Sequence, residues 1–184
     1  MEKQIDPRTL RTRKLIMDAF IELSTKKDFK DFTIGDITSA ATVNRATFYN
    51  HFIDKYDLLE KVLRESVMRE VLQEVRTHED ITEETIRATF ISIIKFHTSI
   101  SNQCPRSYKA FSPQIEIIFK YELQAFFSEW AKKKRSNQNR IEVETFAVML
   151  SWSLYGAAMH SIQDYTTTKK EDYVKQILHF IKLE

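Results

Sequence analysis

The chain has 184 residues, with 2 glycines, 3 prolines and 1 cysteine, and 42% of it is hydrophobic. Average usage is roughly 7% Gly and 5% Pro, and tight hairpins lean on Gly, Asn and Pro for unusual φ angles; this composition argues against all-β folds and Gly-rich phosphate loops. One cysteine excludes an intramolecular disulfide and a Cys-rich zinc site, while the apolar share is enough for a buried core.

The net charge is +2, and residues 1–55 hold 10 basic and 8 acidic side chains, so the whole excess lies in the first third. A polyanion would bind there before anywhere else. The length fits one domain of ordinary size, or a small one fused to a larger one. Residues 1–10 are polar and do not read as a signal peptide.

The first predicted helix opens at Asp6-Pro7, an N-cap followed by Pro at the first helical position. Leu15, Ile16, Ala19, Phe20 and Leu23 then recur on one face, and the pattern stops at Thr25 to Lys27. Thr33 with Asp36 three residues later forms a capping-box-like start, and Ile34, Ile37 and Ala41 give a short helix one apolar face. Asn44 caps a second short helix over 45–50. Asp54 caps a third, whose stripe runs from Leu58 and Leu59 through Val62, Leu63, Val67, Val71, Leu72 and Val75.

Long helices follow. One spans 82–100. Residues 102–112, holding Cys104-Pro105, read as a break, and Ser112-Pro113 starts the next helix, to about Lys134. Ser136 to Asn139 reads as a loop. A helix over 140–165 contains an uncharged stretch, Thr145 to Gln163, close to membrane-spanning length. Its Thr, Ser, His and Gln residues interrupt the apolar run that a span requires, so it is expected to pack between protein layers or subunits. Thr168 and Glu171 cap the last helix.

Two short helices joined by a tight turn, after a longer helix, form the helix-turn-helix plan. Its second helix enters the major groove, where each base pair shows a distinct donor and acceptor pattern. In Asn44-Arg-Ala-Thr-Phe-Tyr-Asn-His-Phe52, Phe48 and Phe52 can pack inward with Ile37 and Ala41. Arg45, Ala46, Thr47, Tyr49 and Asn50 remain for the open side.

Residues 11–63 resemble the DNA-binding domain of the TetR/AcrR family of bacterial transcriptional regulators. The resemblance rests on the run from Phe32 to Phe52, which includes Thr47-Phe-Tyr-Asn-His-Phe, and on Asp54-Lys-Tyr-Asp-Leu-Leu59. It implies an all-α protein: a three-helix DNA-binding domain at 1–54 and a helical ligand-binding and dimerisation domain at 55–184. By resemblance, Thr33 approaches phosphate, Arg45 reaches base edges, and Ala46 and Thr47 lie close to bases or phosphate. Tyr49 and His51 position the backbone, Lys55 binds phosphate, and Asn44 and Asn50 belong to the same surface. The family often has Gly in the turn where this chain has Thr42. A β-branched residue is poorly suited to φ > 0, so the turn is where a local departure is expected.

The resemblance also implies a small-molecule effector, apolar or aromatic, in a pocket to which Phe90, His97, Tyr108, Phe111, Trp152 and Tyr155 are assigned; for each, ordinary core is the plainer reading. The last two long helices would pair across a homodimer through Trp152, Gly156, Ala157, His160, Ile177, Phe180 and Ile181. The implied function is a cytoplasmic repressor that binds a palindromic duplex operator and is released by its effector. No cofactor, metal or membrane is expected. The five histidines do not form a metal spacing with carboxylates or Cys104, and no nucleophile elbow, P-loop or dinucleotide fingerprint exists, so the chain is not expected to be an enzyme. The alternative is a helical lipid or small-ligand carrier with a non-functional DNA-binding head.

Overall fold

The computed structural model describes residues 6–77, 80–134, 139–164 and 170–181, without the side chains of Met68, Glu74 and Ile181. Among these residues there is no strand, and no helix is long and apolar enough to cross a membrane. The helices are α1 (Pro7–Lys26), α2 (Ile34–Ala40), α3 (Arg45–Tyr49), α4 (Lys55–Val67), α5 (Glu83–Gln103), α6 (Pro105–Lys134), α7 (Arg140–Gln163) and α8 (Lys170–Ile181). The expected cap at Thr168, the loop at 136–138 and the helix end at Tyr165 lie outside the described residues.

The chain forms two compact units: residues 1–65 with 100–113, and residues 66–99 with 114–184. The expected boundary after residue 54 therefore falls inside the first unit. The reason is a cluster of aromatic rings that the first 54 residues cannot close alone. Phe20, Phe29 and Phe32 meet edge to face, with centroids 5.5–6.0 Å apart. Phe111, from the start of α6, completes the cluster at 5.4 Å from Phe29 and 6.2 Å from Phe20. All four side chains are buried, and such edge contacts add to the hydrophobic gain of burial.

Polar ties from the same stretch finish the end of α1. The last carbonyls of a helix lack intrahelical donors. Here Arg106 donates to the Lys26 carbonyl at 3.3 Å, and Ser107 Oγ to that of Lys27 at 3.1 Å. Ser107 Oγ also accepts from the Phe29 backbone N–H at 2.9 Å. At the other end, Asp6 caps α1 by accepting from the Arg8 N–H at 2.8 Å, with Pro7 at the first helical position.

The expected break over 102–112 shrinks to Cys104 alone. Pro105 opens α6, where its missing N–H costs nothing, and Pro113 lies inside the helix. An internal Pro removes one i→i−4 hydrogen bond and crowds the carbonyl before it, yet burial of Phe111, Ile115, Ile118 and Phe119 on either side carries the helix through.

After Val67 the chain widens into a π-helical stretch, Met68–Leu72, and closes with Gln73–Val75. Val67, Val71 and Val75 recur every four residues, and all are fully buried. At 3.6 residues per turn, each step of four drifts by about 40° around the axis. A turn closed by i→i+5 bonds takes up that drift and keeps the valines together.

In the second unit, α5, α6 and α7 bury an aromatic centre. His97 stacks on Phe119 at 5.6 Å, and Phe96 and Tyr155 lie 5.2 and 5.6 Å from Phe119. Burial pushes the His97 imidazole down to about 4, against a smaller upward pull from Glu116. It is therefore neutral at pH 7 and packs as a ring. In α7, Val143, Ala147, Leu150, Leu154 and Ala158 face the core, while Ile141, Met149, Trp152, Gly156 and His160 are exposed. The uncharged stretch thus has one buried and one open face.

The turn after α2 keeps the conformation a glycine would take, and the expected departure is replaced by backbone strain at Thr42. Thr42 has φ 54, the left-handed region that favours glycine. Its N–H donates to the Ser39 carbonyl at 3.2 Å, and the Val43 N–H to that of Thr38 at 3.0 Å. This bond pair is the Schellman ending, which uses a left-handed residue to satisfy two orphan carbonyls. A Cβ in that conformation costs about 1–2 kcal/mol, and glycine's extra unfolded-state entropy offsets about 0.4–1 kcal/mol. Thr42→Gly should therefore raise the unfolding free energy by roughly 0.5–1 kcal/mol, read as a higher urea midpoint at unchanged slope.

Candidate nucleic-acid interface

The two short helices are locked by caps at both starts. Thr33 Oγ1 accepts from the Asp36 N–H at 3.2 Å, and Asp36 Oδ2 accepts from the Thr33 N–H at 2.7 Å. These two bonds form the reciprocal capping box, and donation from the Thr33 N–H, then from its hydroxyl, holds the Asp36 carboxyl below its ordinary range. The Thr33 hydroxyl also donates to Asp36 at 2.9 Å. To reach phosphate it must exchange that bond. Asn44 Oδ1 accepts from the Thr47 N–H at 2.7 Å, so Asn44 caps α3.

Beyond the cap, α3 divides cleanly. Phe48 and Phe52 are buried, with rings 5.6 Å apart, and Ile37 and Ala41 are buried in the same unit. Arg45, Ala46, Tyr49 and Asn50 are exposed, and Thr47 is half-buried. Positions 45, 46, 49 and 50 share one helical face, so a guanidinium, a methyl, a phenol and an amide stand together on the open side. Ile53, just beyond, is 78% exposed and was missed by sequence reasoning; its place after an apolar inward Phe gave it no signal.

Arg45 reaches back across the turn. A Cβ placed on Gly35 would lie 3.1 Å from Arg45 Nη2, so the guanidinium rests against the bare face of Gly35. His51 is half-buried, and burial, then the charge of Arg13, lowers its pKa. It meets an approaching anion as a neutral N–H donor more than as a cation. Arg13 stands 5.5 Å above the Phe52 ring and pairs with Glu65, which ties α1 to the loop after α3.

Lys55 departs from expectation. Its ammonium donates to the carbonyls of Phe29 and Phe32, both at 3.0 Å, and contacts that of Lys30 at 3.5 Å. It also lies 4.7 Å from the Phe29 ring centroid, within cation–π range. Three carbonyls occupy the three donors of an ammonium. Lys55 therefore ties the segment before α2 to the start of α4, and to reach phosphate it must exchange one of these contacts.

The pocket candidates divide. Tyr108 and Phe111 belong to the first unit, and Phe90, His97, Trp152 and Tyr155 to the second. Phe111 is part of the head's aromatic cluster. Phe90 is buried and stacks on Tyr173 at 6.3 Å, whereas Trp152 is 52% exposed. Trp152 lines a surface groove of about 310 Å³ with Glu116, Ile117, Lys120, Tyr121 and Gln124. Of the dimer candidates, Trp152, Gly156, His160 and Phe180 are exposed, and Ala157 and Ile177 half-buried. The side chain of Ile181 lies outside the described residues.

Removing the Lys55 donors should be felt in stability. Hydrogen bonds from a charged group contribute about 1.5–3 kcal/mol, so Lys55→Met should lower the unfolding free energy by that order in urea titration. A stable variant whose DNA binding loses about one unit of salt slope would instead make Lys55 a phosphate contact.

Residues 16–62 match the family model of the bacterial regulatory proteins of the tetR family. Over 66 residues the chain is 44% identical to an HTH-type transcriptional regulator of Bacillus subtilis, YxbF; the match covers 35% of this chain and 17% of that protein. The chain thus spans about a sixth of the length of this relative. Among solved structures, a TetR transcriptional regulator from Streptococcus agalactiae is similar over 96% of both chains, with a TM-score of 0.57 at 19% identity. A transcriptional regulator from Pseudomonas aeruginosa is similar over 97% of this chain and 91% of its own, with a TM-score of 0.59 at 16% identity. At such identities the likeness is one of fold. The family match falls on the capped pair α2–α3 and the helices that hold it, so this helix-turn-helix is similar to the DNA-binding domain of the tetR family of bacterial regulatory proteins.

Proposed function

We propose that the protein is a cytoplasmic, dimeric, one-component repressor that reads a palindromic operator and leaves it on binding a small effector. The observation that carries the reading is the division of α3: Phe48 and Phe52 buried on one side, Arg45, Ala46, Tyr49 and Asn50 exposed on the other. In this reading Arg45 pairs with guanine, and the Ala46 methyl meets thymine. Tyr49, Asn50, Thr47 and a neutral His51 supply hydrogen bonds to the backbone on either side.

The open face of α7 supports a homodimer. Ile141, Met149 and Trp152 are 74%, 65% and 52% exposed, and an apolar face of this kind marks an interaction surface. Two copies related by a two-fold axis would carry their recognition helices to half-sites about one turn apart. The aromatic centre of the second unit, with Phe90, His97 and Tyr155, suits an apolar or aromatic effector. Such a ligand would act by favouring one of two spacings of the paired recognition helices.

Selection from random duplexes tests the reading. A palindrome is expected, and its recovery should fall when the right effector is present. If no sequence is enriched, the regulator reading fails and a carrier with a silent head takes its place. Arg45→Ala should weaken binding to the selected operator by about 1–3 kcal/mol and relax one base position. Gly156 tests the dimer. Among the described residues, nothing beyond its own helix backbone and chain neighbours lies within 4 Å of a Cβ placed there, so a side chain is harmless within one copy. Gly156→Leu should keep the helical spectrum while weakening dimerisation by about 1–3 kcal/mol, the usual cost of overpacking, measured by sedimentation equilibrium.

A further inference from the structure

We infer that Gly35 is a specificity-determining position: its missing side chain sets where the Arg45 guanidinium rests, and so which base edge it reaches. The inference deepens the proposed function and rests on α3 reading bases.

Gly35 lies in the first turn of α2, and Arg45 is the first residue of α3. They belong to different helices, joined by the strained turn at Thr42. The Arg45 side chain crosses that turn until Nη2 is 3.1 Å from the place a Cβ on Gly35 would occupy, with Thr33 Oγ1 3.3 Å from it on the other side. At 3.1 Å the contact is tight, and a real Cβ there would need its neighbour to give by a few tenths of an ångström. The Thr33 hydroxyl is bound to Asp36 at two points, so it is the Arg45 end that gives way.

Nothing else fixes that guanidinium. Among the described residues no carboxylate stands within ion-pair distance of it and no carbonyl accepts from it. Arg45 is exposed, and its donors remain available to a base. The resting place is therefore one of packing alone, and the bare Cα of Gly35 forms its floor. An arginine that starts from this seat approaches the groove along the α2 side of α3. Filling the seat shifts the guanidinium by a few tenths of an ångström, and a bidentate fork that must match two acceptors on one base edge feels a shift of that size.

Glycine is otherwise a poor choice here. It is disfavoured against Ala within a helix, and this one does not use the left-handed conformation, since no glycine has positive φ. Gly35→Ala should therefore hold or raise thermal stability, which separates an effect on reading from an effect on folding.

The experiment is a selection from random duplexes with the full-length protein, its Gly35→Ala, Gly35→Val and Arg45→Ala variants and the double variant Gly35→Ala/Arg45→Ala. Each is then titrated against the operator that the unmodified protein selects. Gly35→Ala should change the preference at the one base position that Arg45→Ala relaxes, leave the others alone, and weaken binding roughly five- to tenfold, the lower end of what a bidentate contact to guanine is worth. Gly35→Val should do more at the same position. In the Arg45→Ala background the alanine at 35 should do nothing further. An unchanged preference for Gly35→Ala, or an equal loss of binding in both backgrounds, overturns the inference while leaving Arg45 as a base reader. If Arg45→Ala itself relaxes no position, the base-reading role of α3 fails first.

Discussion

One ammonium group holds the floor of the helix-turn-helix. Lys55 stands at the first residue of α4, where a positive charge gains nothing from the helix dipole. It turns away from that end, and its donors go to the carbonyls of Phe29 and Phe32. Those carbonyls bracket the short turn that leads into α2. The Phe29 and Phe32 side chains, on the same residues, enter the aromatic cluster with Phe20 and Phe111. Each part of the arrangement needs the others. The rings place the carbonyls, the carbonyls hold the ammonium, and the ammonium fixes where the Thr33 cap begins. From that cap onward the path of the chain is set by hydrogen bonds: the box at Thr33, the Schellman ending at Thr42, and the Asn44 cap of α3.

The reading surface inherits this rigidity. With five residues, α3 has no stability of its own, because isolated helices of this length do not form in water. Its shape comes from Asn44 at one end and from two buried phenylalanines beneath. The exposed residues are thereby held as a set, and the strained residue between α2 and α3 is the cost of turning the chain within so few bonds. The Arg45 side chain is the exception, because it rests on a neighbour instead of being bonded to one.

Much of this was legible beforehand. The caps at Asp6, Thr33 and Asn44, the inward Phe48 and Phe52, and the sites of α1 to α3 follow from local chemistry, which hydrogen-bonds over three residues and repeats every three or four. What escaped involves partners far along the chain or choices between two equal local readings. Cys104-Pro105 reads as part of a break and Ser112-Pro113 as a helix start; burial around Phe111 and Ile115 instead carries one helix from Pro105 through the second proline. Lys55 carries the family's phosphate-binding signature in sequence, and only the carbonyls of residues 23–26 positions earlier reveal where its charge goes. No spacing in the chain announces that Arg45 lies on Gly35. The left-handed Thr42 was visible as a tension between residue type and turn, because the two demands meet at one position.

The ties from Ser107 and Phe111 also give the protein a direction in time. A ribosome makes the chain from its N-terminus, and α1 to α3 leave it early. Yet the Phe29 N–H and the Lys27 carbonyl find their partner 78 and 80 residues later, and the ring cluster stays open on one side until Phe111 arrives. Contacts of such separation form late, because the loop between them must close first. The head is thus synthesised before its own last partners, and it cannot finish folding when its helices emerge. Its completion waits for the chain to pass through α4 and α5 and return.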